Sequence, residues 1–236
     1  FSFGASEADK RDIANEIGTR MWPSLALAIP VFLVGLAVNI TFALFLAFFR
    51  ATYLDYSGVV LCVAMMSVST LFYIIGGQYL VSKLLHLVPI SGYDEGFDAT
   101  KFLVLPVVIG IINSFGSSSR LYRTLFVEEM GKDYVRTARA KGCGEGRIMG
   151  RHVLRNSLIP ILTGVVVQIP FLFTGSLLLE SFFGIPGLGS ITVDAIGAND
   201  FSTLRVIVFI DSLLELGGQI ATDISYTLAD PRVRLG

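Results

Sequence analysis

The sequence is short of charge, cysteine and histidine, and each shortage excludes a class of protein. Asp, Glu, Lys and Arg make up 16% of the 236 residues, whereas a soluble domain carries about 25%. The two cysteines do not suggest a disulfide framework, and the two isolated histidines lack the spacing of a metal site. The sequence also contains no GxxxxGK[ST] loop, no HExxH motif and no Ser/His/Asp arrangement. We therefore expect no catalytic residue, metal ligand or cofactor site in this chain.

Long apolar runs fill most of the chain. Each is long enough to cross a membrane as a helix, because an α-helix rises about 1.5 Å per residue. Five spans are predicted, at 21–49, 57–82, 102–119, 157–179 and 204–228. Pro170 lies inside the fourth span and is predicted to kink it, whereas residues 180–203 are predicted to form a loop. The sequence therefore predicts an all-α membrane protein.

Lysines and arginines are distributed unequally between the two sides that five spans would create. Twelve lie in segments on one side and six on the other. The side with more Lys and Arg is normally cytoplasmic. We therefore expect residues 1–20, a polar segment with helical spacing of its apolar residues, to lie outside the cell membrane. Residues 229–236 are expected to form a cytoplasmic tail.

A basic segment broken by glycines separates two of the apolar runs, at 133–160. Tyr134–Lys141 is predicted to form about two helical turns, with Asp133 as N-cap and Gly142 as the residue that ends the helix. A second helix is predicted to follow the glycines. Three arginines spaced by four residues would share one face of it: Arg147, Arg151 and Arg155.

Two short strings in this segment carry a family resemblance. VRTARAKG at Val135–Gly142 and HVLRN at His152–Asn156 resemble the loop with the EAA motif in ABC importer permeases of the oligopeptide and dipeptide branch. Of the wider family's Glu-Ala-Ala, only the last alanine has a counterpart, Ala138. The resemblance extends over nearly everything from Met21 onward. It implies a type I importer transmembrane domain at 21–228, all-α, with a cytoplasmic coupling helix.

The family usually has six spans, with both chain ends in the cytoplasm. Its first span has no counterpart among the five that are predicted here. We therefore expect residues 1–20 to be the external segment that precedes the family's second span.

The resemblance implies that a cytoplasmic loop, here 120–157, docks on an ATPase subunit through its coupling helix. The candidate contacts are small residues that permit close approach and basic residues that offer ion pairs: Tyr134, Val135, Thr137, Ala138, Arg139, Ala140, Lys141 and Gly142. A bulky, acidic replacement of Ala138 is predicted to uncouple ATP hydrolysis from transport. The alternative is a basic loop that only fixes topology or contacts anionic lipid.

A second candidate site is the string GSLLLESFFGIPGLG at 175–189, which is similar to a series in peptide permeases. Glu180 would lie at the outer end of the fourth span, with Pro186, Gly187 and Gly189 shaping the turn behind it. One interpretation is an outer gate and a landing surface for a solute-binding protein. The other is a re-entrant turn whose glycines are purely structural.

A third candidate site is the polar stripe of the fifth span. Asp211, Glu215, Gln219 and Asp223 recur every four residues and so lie along one side of a helix. Ionisable groups at membrane depth usually face a cavity or a partner, so Asp211 and Glu215 are candidates for the translocation path. Pairing with neighbouring helices is the alternative. Glu180 and Gln168 are further path candidates.

The predicted function is a permease subunit that carries peptides across the bacterial inner membrane. The resemblance implies four kinds of partner: a second permease subunit, two ATPase subunits that bind ATP and Mg²⁺, an external solute-binding protein, and membrane lipid. No nucleic-acid motif is present. Three alternatives stay open: a permease for nickel or another small solute, an integral membrane enzyme built on Asp211 and Glu215, and a stand-alone channel.

Overall fold

The computed structural model describes residues 4–7, 10–93 and 99–229, and these are largely helical. Within those ranges the single strand-like pairing is a bridge between Ala5 and Asp12. The α-helices are α1 (Ile13–Phe48), α2 (Tyr53–Met66), α3 (Thr70–Gly77), α4 (Ala99–Met130), α5 (Asp133–Ala140), α6 (Glu145–Arg147), α7 (Leu154–Gln168), α8 (Leu177–Phe183), α9 (Leu188–Gly197) and α10 (Phe201–Ala229). The prediction of an all-α protein is confirmed.

Less regular helix connects some of these elements. Gln78–Leu84 and Ile148–Val153 are π-helical, and Pro170–Phe173 is a 3₁₀ turn. The α-helix of α7 therefore ends at Gln168, two residues before Pro170, where the sequence predicts a kink. The cause is the proline, which has no N–H for the helical ladder and whose ring clashes with the preceding turn.

The described residues divide into two compact units. The first unit lies within Phe1–Phe32, Thr70–Gly110 and Val166–Gly236, and the second unit within Leu33–Ser69 and Ile111–Val165. Each unit has its own apolar core. The basic loop belongs to the second unit, and the glycine-rich string at 175–189 belongs to the first.

Several helices are long and apolar enough to cross a membrane. They are α1, α4 from Thr100 onward and the continuous helical stretch Glu145–Phe173. Two bent pairs, α2 with the helix at 70–84 and α8 with α9, qualify when each pair counts as one span, which makes up to five in the described residues. α10 is not among them, so the span predicted at 204–228 stays a prediction.

The polar segment and the first predicted span are continuous in secondary structure, because α1 begins at Ile13 and continues through the boundary between residues 20 and 21. One feature of the predicted layout differs from the structure. The loop predicted at 180–203 is wrong, since those residues form the end of α8, all of α9 and the start of α10. Seven consecutive residues of the predicted tail, 230–236, lie outside the described residues.

The second unit is packed around an apolar cluster next to a buried ion pair. The cluster includes Phe126 and Ile148, each 0% exposed. Arg123 on α4 donates two hydrogen bonds to Asp55 on α2, each 2.6 Å long, from Nε and from one terminal nitrogen. The backbone N–H of Ala51 also donates to Asp55, at 3.1 Å. This paired geometry fixes the start of α2 against α4.

In the first unit, Asp200 links the N-terminal segment, at Ser6 and Glu7, to the start of α10. Its side chain is 4% exposed, and it accepts hydrogen bonds from the hydroxyl groups of Ser6 and Thr203 and from the backbone N–H groups of Glu7 and Thr203. The bond from Thr203, three residues on, makes Asp200 the N-cap of α10. The hydrogen bond from the Ser6 hydroxyl, together with those from the hydroxyl and the backbone N–H of Thr203, holds the pKa of the Asp200 carboxyl well below its usual range.

Replacing Asp200 by asparagine is expected to destabilise the protein by about 1 kcal/mol at neutral pH, because charge-assisted hydrogen bonds become neutral ones. The folded pKa of Asp200 lies below the unfolded value of about 3.9. The stabilisation is therefore complete above the unfolded pKa and is lost as the pH falls through the folded pKa. Thermal unfolding of both forms between neutral and acid pH tests this, since their difference should shrink below about pH 4. A difference that does not change with pH would contradict it.

Candidate functional site

Helix α5 forms the core of the basic loop, as the sequence predicts, but it starts one residue earlier. Its N-cap is Lys132, whose backbone is extended and whose side chain makes no capping bond. Asp133, predicted as the N-cap, is instead the first helical residue. A carboxylate in the first turn still stabilises the helix, because it lies near the positive end of the helix dipole.

Gly142 ends this helix, as the sequence predicts. The glycine has φ +79°, a left-handed conformation that costs other residues more. Its N–H donates to Arg139 O at 3.0 Å, and the N–H of Cys143 donates to Ala138 O at 3.2 Å. These two bonds make a Schellman motif. The end of α5 is therefore fixed by hydrogen bonds rather than left to fray.

The eight predicted coupling residues separate into an inward set and an outward set. Val135 is 0% exposed and Ala138 is 8% exposed, and both belong to the apolar cluster of the second unit. Tyr134 is half-buried, at the edge of the same cluster. Five residues are outward and exposed: Thr137, Arg139, Ala140, Lys141 and Gly142. Arg136, which the sequence analysis did not include, is exposed beside them.

Glu129, at the end of α4, holds the start of α5. Its side chain is 10% exposed. It accepts a hydrogen bond of 2.5 Å from the hydroxyl of Tyr134 and forms an ion pair with Lys132 at 2.6 Å. Burial, reinforced by the hydrogen bond to Glu129, raises the pKa of Tyr134 to about 12. A tyrosine hydroxyl is protonated at neutral pH in any case, and the raised pKa keeps this one a donor in more alkaline solution as well. Sequence reasoning missed Glu129, because the only signal was an acid five residues before a tyrosine.

The helix predicted to follow the glycines is present but is not a regular α-helix. It begins with α6, continues as the π-helix Ile148–Val153 and only then becomes α7. π-helix advances more residues per turn than α-helix, so the predicted four-residue spacing does not hold through this stretch. All three arginines on it are exposed: Arg147, Arg151 and Arg155. Arg139 on α5 reaches forward to Glu145 with two hydrogen bonds, of 2.6 and 3.0 Å.

Glu180 is enclosed inside the second candidate site, with 0% of the residue exposed. One carboxylate oxygen accepts from the hydroxyl of Ser24, at 2.8 Å, and from Ser176 N, at 3.0 Å. The other accepts from Gly189 N, at 2.7 Å, and from Ser190 N, at 3.2 Å. A carboxylate can accept about four such bonds. This geometry favours an anchor for the turn between α8 and α9 over direct contact with a solute.

The glycines of this string leave room for the Glu180 carboxylate and for the backbone. A β-carbon at Gly189 would lie 2.6 Å from Leu177 N, closer than side chains approach backbone atoms in proteins. Gly187 is the N-cap of α9, and its N–H donates to the hydroxyl of Ser190 at 3.0 Å. α8 and α9 meet at 79°. The bend and the close approach at Gly189 favour the interpretation that these glycines are structural, whereas a re-entrant turn stays a prediction.

The remaining path candidates lie in the first unit. Asp211 on α10 is half-buried, and Glu215, one turn further, is exposed. Gln168 is exposed at the last position of α7. Within the described residues no group of three or more His, Cys, Asp or Glu side chains could hold a metal ion.

Comparison with known proteins identifies the family. The family described as "Binding-protein-dependent transport system inner membrane component" matches residues 19–235. The chain belongs to this family of transport permeases. The permease is a multi-pass membrane protein and a subunit of an ABC importer, and the family implies the bacterial inner membrane.

Curated relatives of the permease are named for peptide transport. A protein of Brucella abortus (strain 2308), named as a peptide transport system permease, is 31% identical over 238 residues, which are 99% of this chain and 76% of that protein. The dipeptide transport system permease protein of Bacillus subtilis (strain 168) is 29% identical over 238 residues, 100% of this chain and 75% of that protein.

A solved structure shows the same fold. The permease matches a chain of the MetNI methionine ABC transporter, determined in inward-facing conformations, with a TM-score of 0.66 and 14% identity. The match covers 90% of this chain and 97% of that one. The predicted type I importer fold is confirmed.

Proposed function

We propose that this permease forms part of a translocation path for peptides and is driven by ATPase subunits that grip α5. The names of the relatives support the substrate class, since peptide and dipeptide permeases match nearly the whole chain. The observation that carries the coupling proposal is the seating of α5. Two of its residues, Val135 and Ala138, are packed in the core of the second unit, while the opposite face is free.

A coupling helix has to transmit force without bending, and α5 is fixed at both ends. Glu129 holds its first turn through Tyr134 and Lys132. The Schellman motif at Gly142 and the pair between Arg139 and Glu145 hold its last turn. Movement of a protein bound to the outward face would therefore move the second unit with it, as a rigid body.

The path itself is proposed to include the polar stripe of α10. Asp211 and Glu215 offer carboxyl groups that would attract the ammonium group of a peptide. Partners in the working complex are proposed to be a second permease subunit, two ATPase subunits with their ATP and Mg²⁺, and an external solute-binding protein. The nickel-permease and membrane-enzyme alternatives are not proposed, because the named relatives point to peptides.

Replacing Ala140 by glutamate is expected to abolish coupling while the permease stays folded. Ala140 is exposed on the outward face of α5, so a larger, acidic side chain would obstruct a bound protein without entering the core. We expect at least a tenfold loss of ATP-driven peptide uptake in reconstituted vesicles, which corresponds to about 1.4 kcal/mol. Co-purification of the ATPase subunits with the permease is the direct measurement.

Ala198→Glu is the matched control, because Ala198 is an exposed alanine in the first unit, where it is the C-cap directly after α9. This control should retain the ATPase subunits. Normal retention and coupling in Ala140→Glu would reject the proposed contact. Ala138→Glu is a weaker test, since Ala138 is buried and uncoupling there could come from damaged packing.

A further inference from the structure

A second basic feature lies beside the outward face of α5, in the second unit. It is a surface pocket lined by three arginines, two residues with apolar side chains and a glycine: Phe48, Arg50, Met130, Gly131, Arg136 and Arg139. Of the three arginines, Arg139 is already paired with Glu145. Arg50 lies outside α5 and is not among the proposed coupling contacts. The pocket thus contains a cation that the coupling proposal does not use.

The charges of this pocket are only partly neutralised. The guanidinium of Arg50 makes no hydrogen bond or ion pair with another described residue, since its backbone N–H alone donates, to Ala47 O at 3.3 Å. The acid nearest to it in sequence, Asp55, is already bound by Arg123. Arg136 pairs with Asp133 at 3.5 Å, and the two side chains are 72% and 96% exposed. Exposed pairs of this kind are weak, so Arg136 is available to a stronger anion.

The surroundings of the pocket are those of a membrane boundary. Phe48 is the last residue of α1, and 46% of it is exposed. Tyr53 and Tyr56, at the start of α2, are 93% and 66% exposed. Exposed aromatic residues at the end of an apolar helix are typical of the level of the lipid headgroups. Arg50 lies between these residues in sequence, so we expect it to lie near the level of the lipid phosphates.

We propose that this pocket binds the phosphate of an anionic phospholipid headgroup from the inner leaflet. The planar fork of arginine matches the oxygens of a phosphate, so Arg50 and Arg136 would hold it from two sides. Phe48 and Met130 supply apolar surface for the glycerol and upper acyl region. Because Arg136 and Arg139 are on α5, the lipid would join the end of α1 to the coupling helix.

The test is native mass spectrometry of the whole importer complex, released from nanodiscs of phosphatidylcholine with or without phosphatidylglycerol. The wild type should retain phosphatidylglycerol. Arg50→Gln should lose it several-fold, and the double variant R50Q/R136Q about tenfold or more. Arg50→Lys should be intermediate, because it keeps the charge but not the fork. Unchanged melting temperatures show that the variants fold.

The control removes the same charge elsewhere in the second unit, as R120Q/R151Q, since Arg120 and Arg151 are exposed and lie outside the pocket. Wild-type lipid retention in this control supports the proposal. Equal losses in both double variants would show only general surface charge and overturn it. Displacement of the lipid by inorganic phosphate at equal affinity, or loss of ATPase subunits from R50Q/R136Q with lipid retained, would also overturn it.

Discussion

Glu180→Ala should unfold the turn between α8 and α9 and lower the free energy of unfolding by about 4 kcal/mol or more. The reason is that it leaves three backbone N–H groups and one hydroxyl without an acceptor in a closed site. Each buried, unsatisfied donor costs about 1–3 kcal/mol, and the missing side chain also leaves a cavity. The measurement is the thermal unfolding midpoint of the purified complex.

Three further variants sharpen this experiment. Glu180→Gln keeps the shape but turns an NH₂ group toward N–H donors, so a smaller loss is expected. Ser24→Ala removes the bond to Glu180 and the bond from Leu188 N, and should cost about 1–3 kcal/mol. Glu128→Ala, which removes an exposed carboxylate from α4, should melt like the wild type. If Glu180→Ala melted at that temperature too, the anchoring role would be refuted.

Asp55→Ala should have a similarly large effect in the second unit. It leaves the Arg123 guanidinium, whose side chain is only 22% exposed, without its carboxylate. Removing one partner of a buried ion pair typically costs about 3–5 kcal/mol, much of it from the charge that remains. Thermal unfolding of the purified complex is again the measurement.

The double variant D55A/R123L distinguishes the stability lost with the ion pair from the cost of leaving the Arg123 charge without a partner. Replacing both partners by apolar groups removes the charge as well as the bond, so part of the lost stability should return. A double-mutant cycle with R123L alone measures the interaction energy between the two residues. Additive losses would mean that the hydrogen bonds between Asp55 and Arg123 contribute nothing to folding.

Local patterns in the sequence predict much of this fold. The apolar runs predict the long helices. Gly142, which follows Lys141, predicts the end of α5, because a residue in the left-handed conformation is needed there. The change from α-helix to a 3₁₀ turn at Pro170 also follows from local chemistry. Each of these features depends on residues that are close in sequence.

Features that depend on distant residues could not be predicted. Ser24 and Glu180 are 156 positions apart, and Asp55 and Arg123 are 68 apart. No local pattern shows that such polar groups meet. The burial of Val135 and Ala138 was missed for a related reason: a helix of eight residues has too few apolar positions to reveal which face is covered until its neighbours are known.

The Schellman motif of α5 places a cysteine that can be labelled chemically at the end of the proposed coupling helix. Cys143, the residue after Gly142, is partly exposed, whereas Cys62 is 1% exposed. A maleimide dye should therefore label Cys143 first, without any engineered cysteine. Its fluorescence would change when a protein covers α5, which would allow docking to be followed in real time in the otherwise unmodified permease.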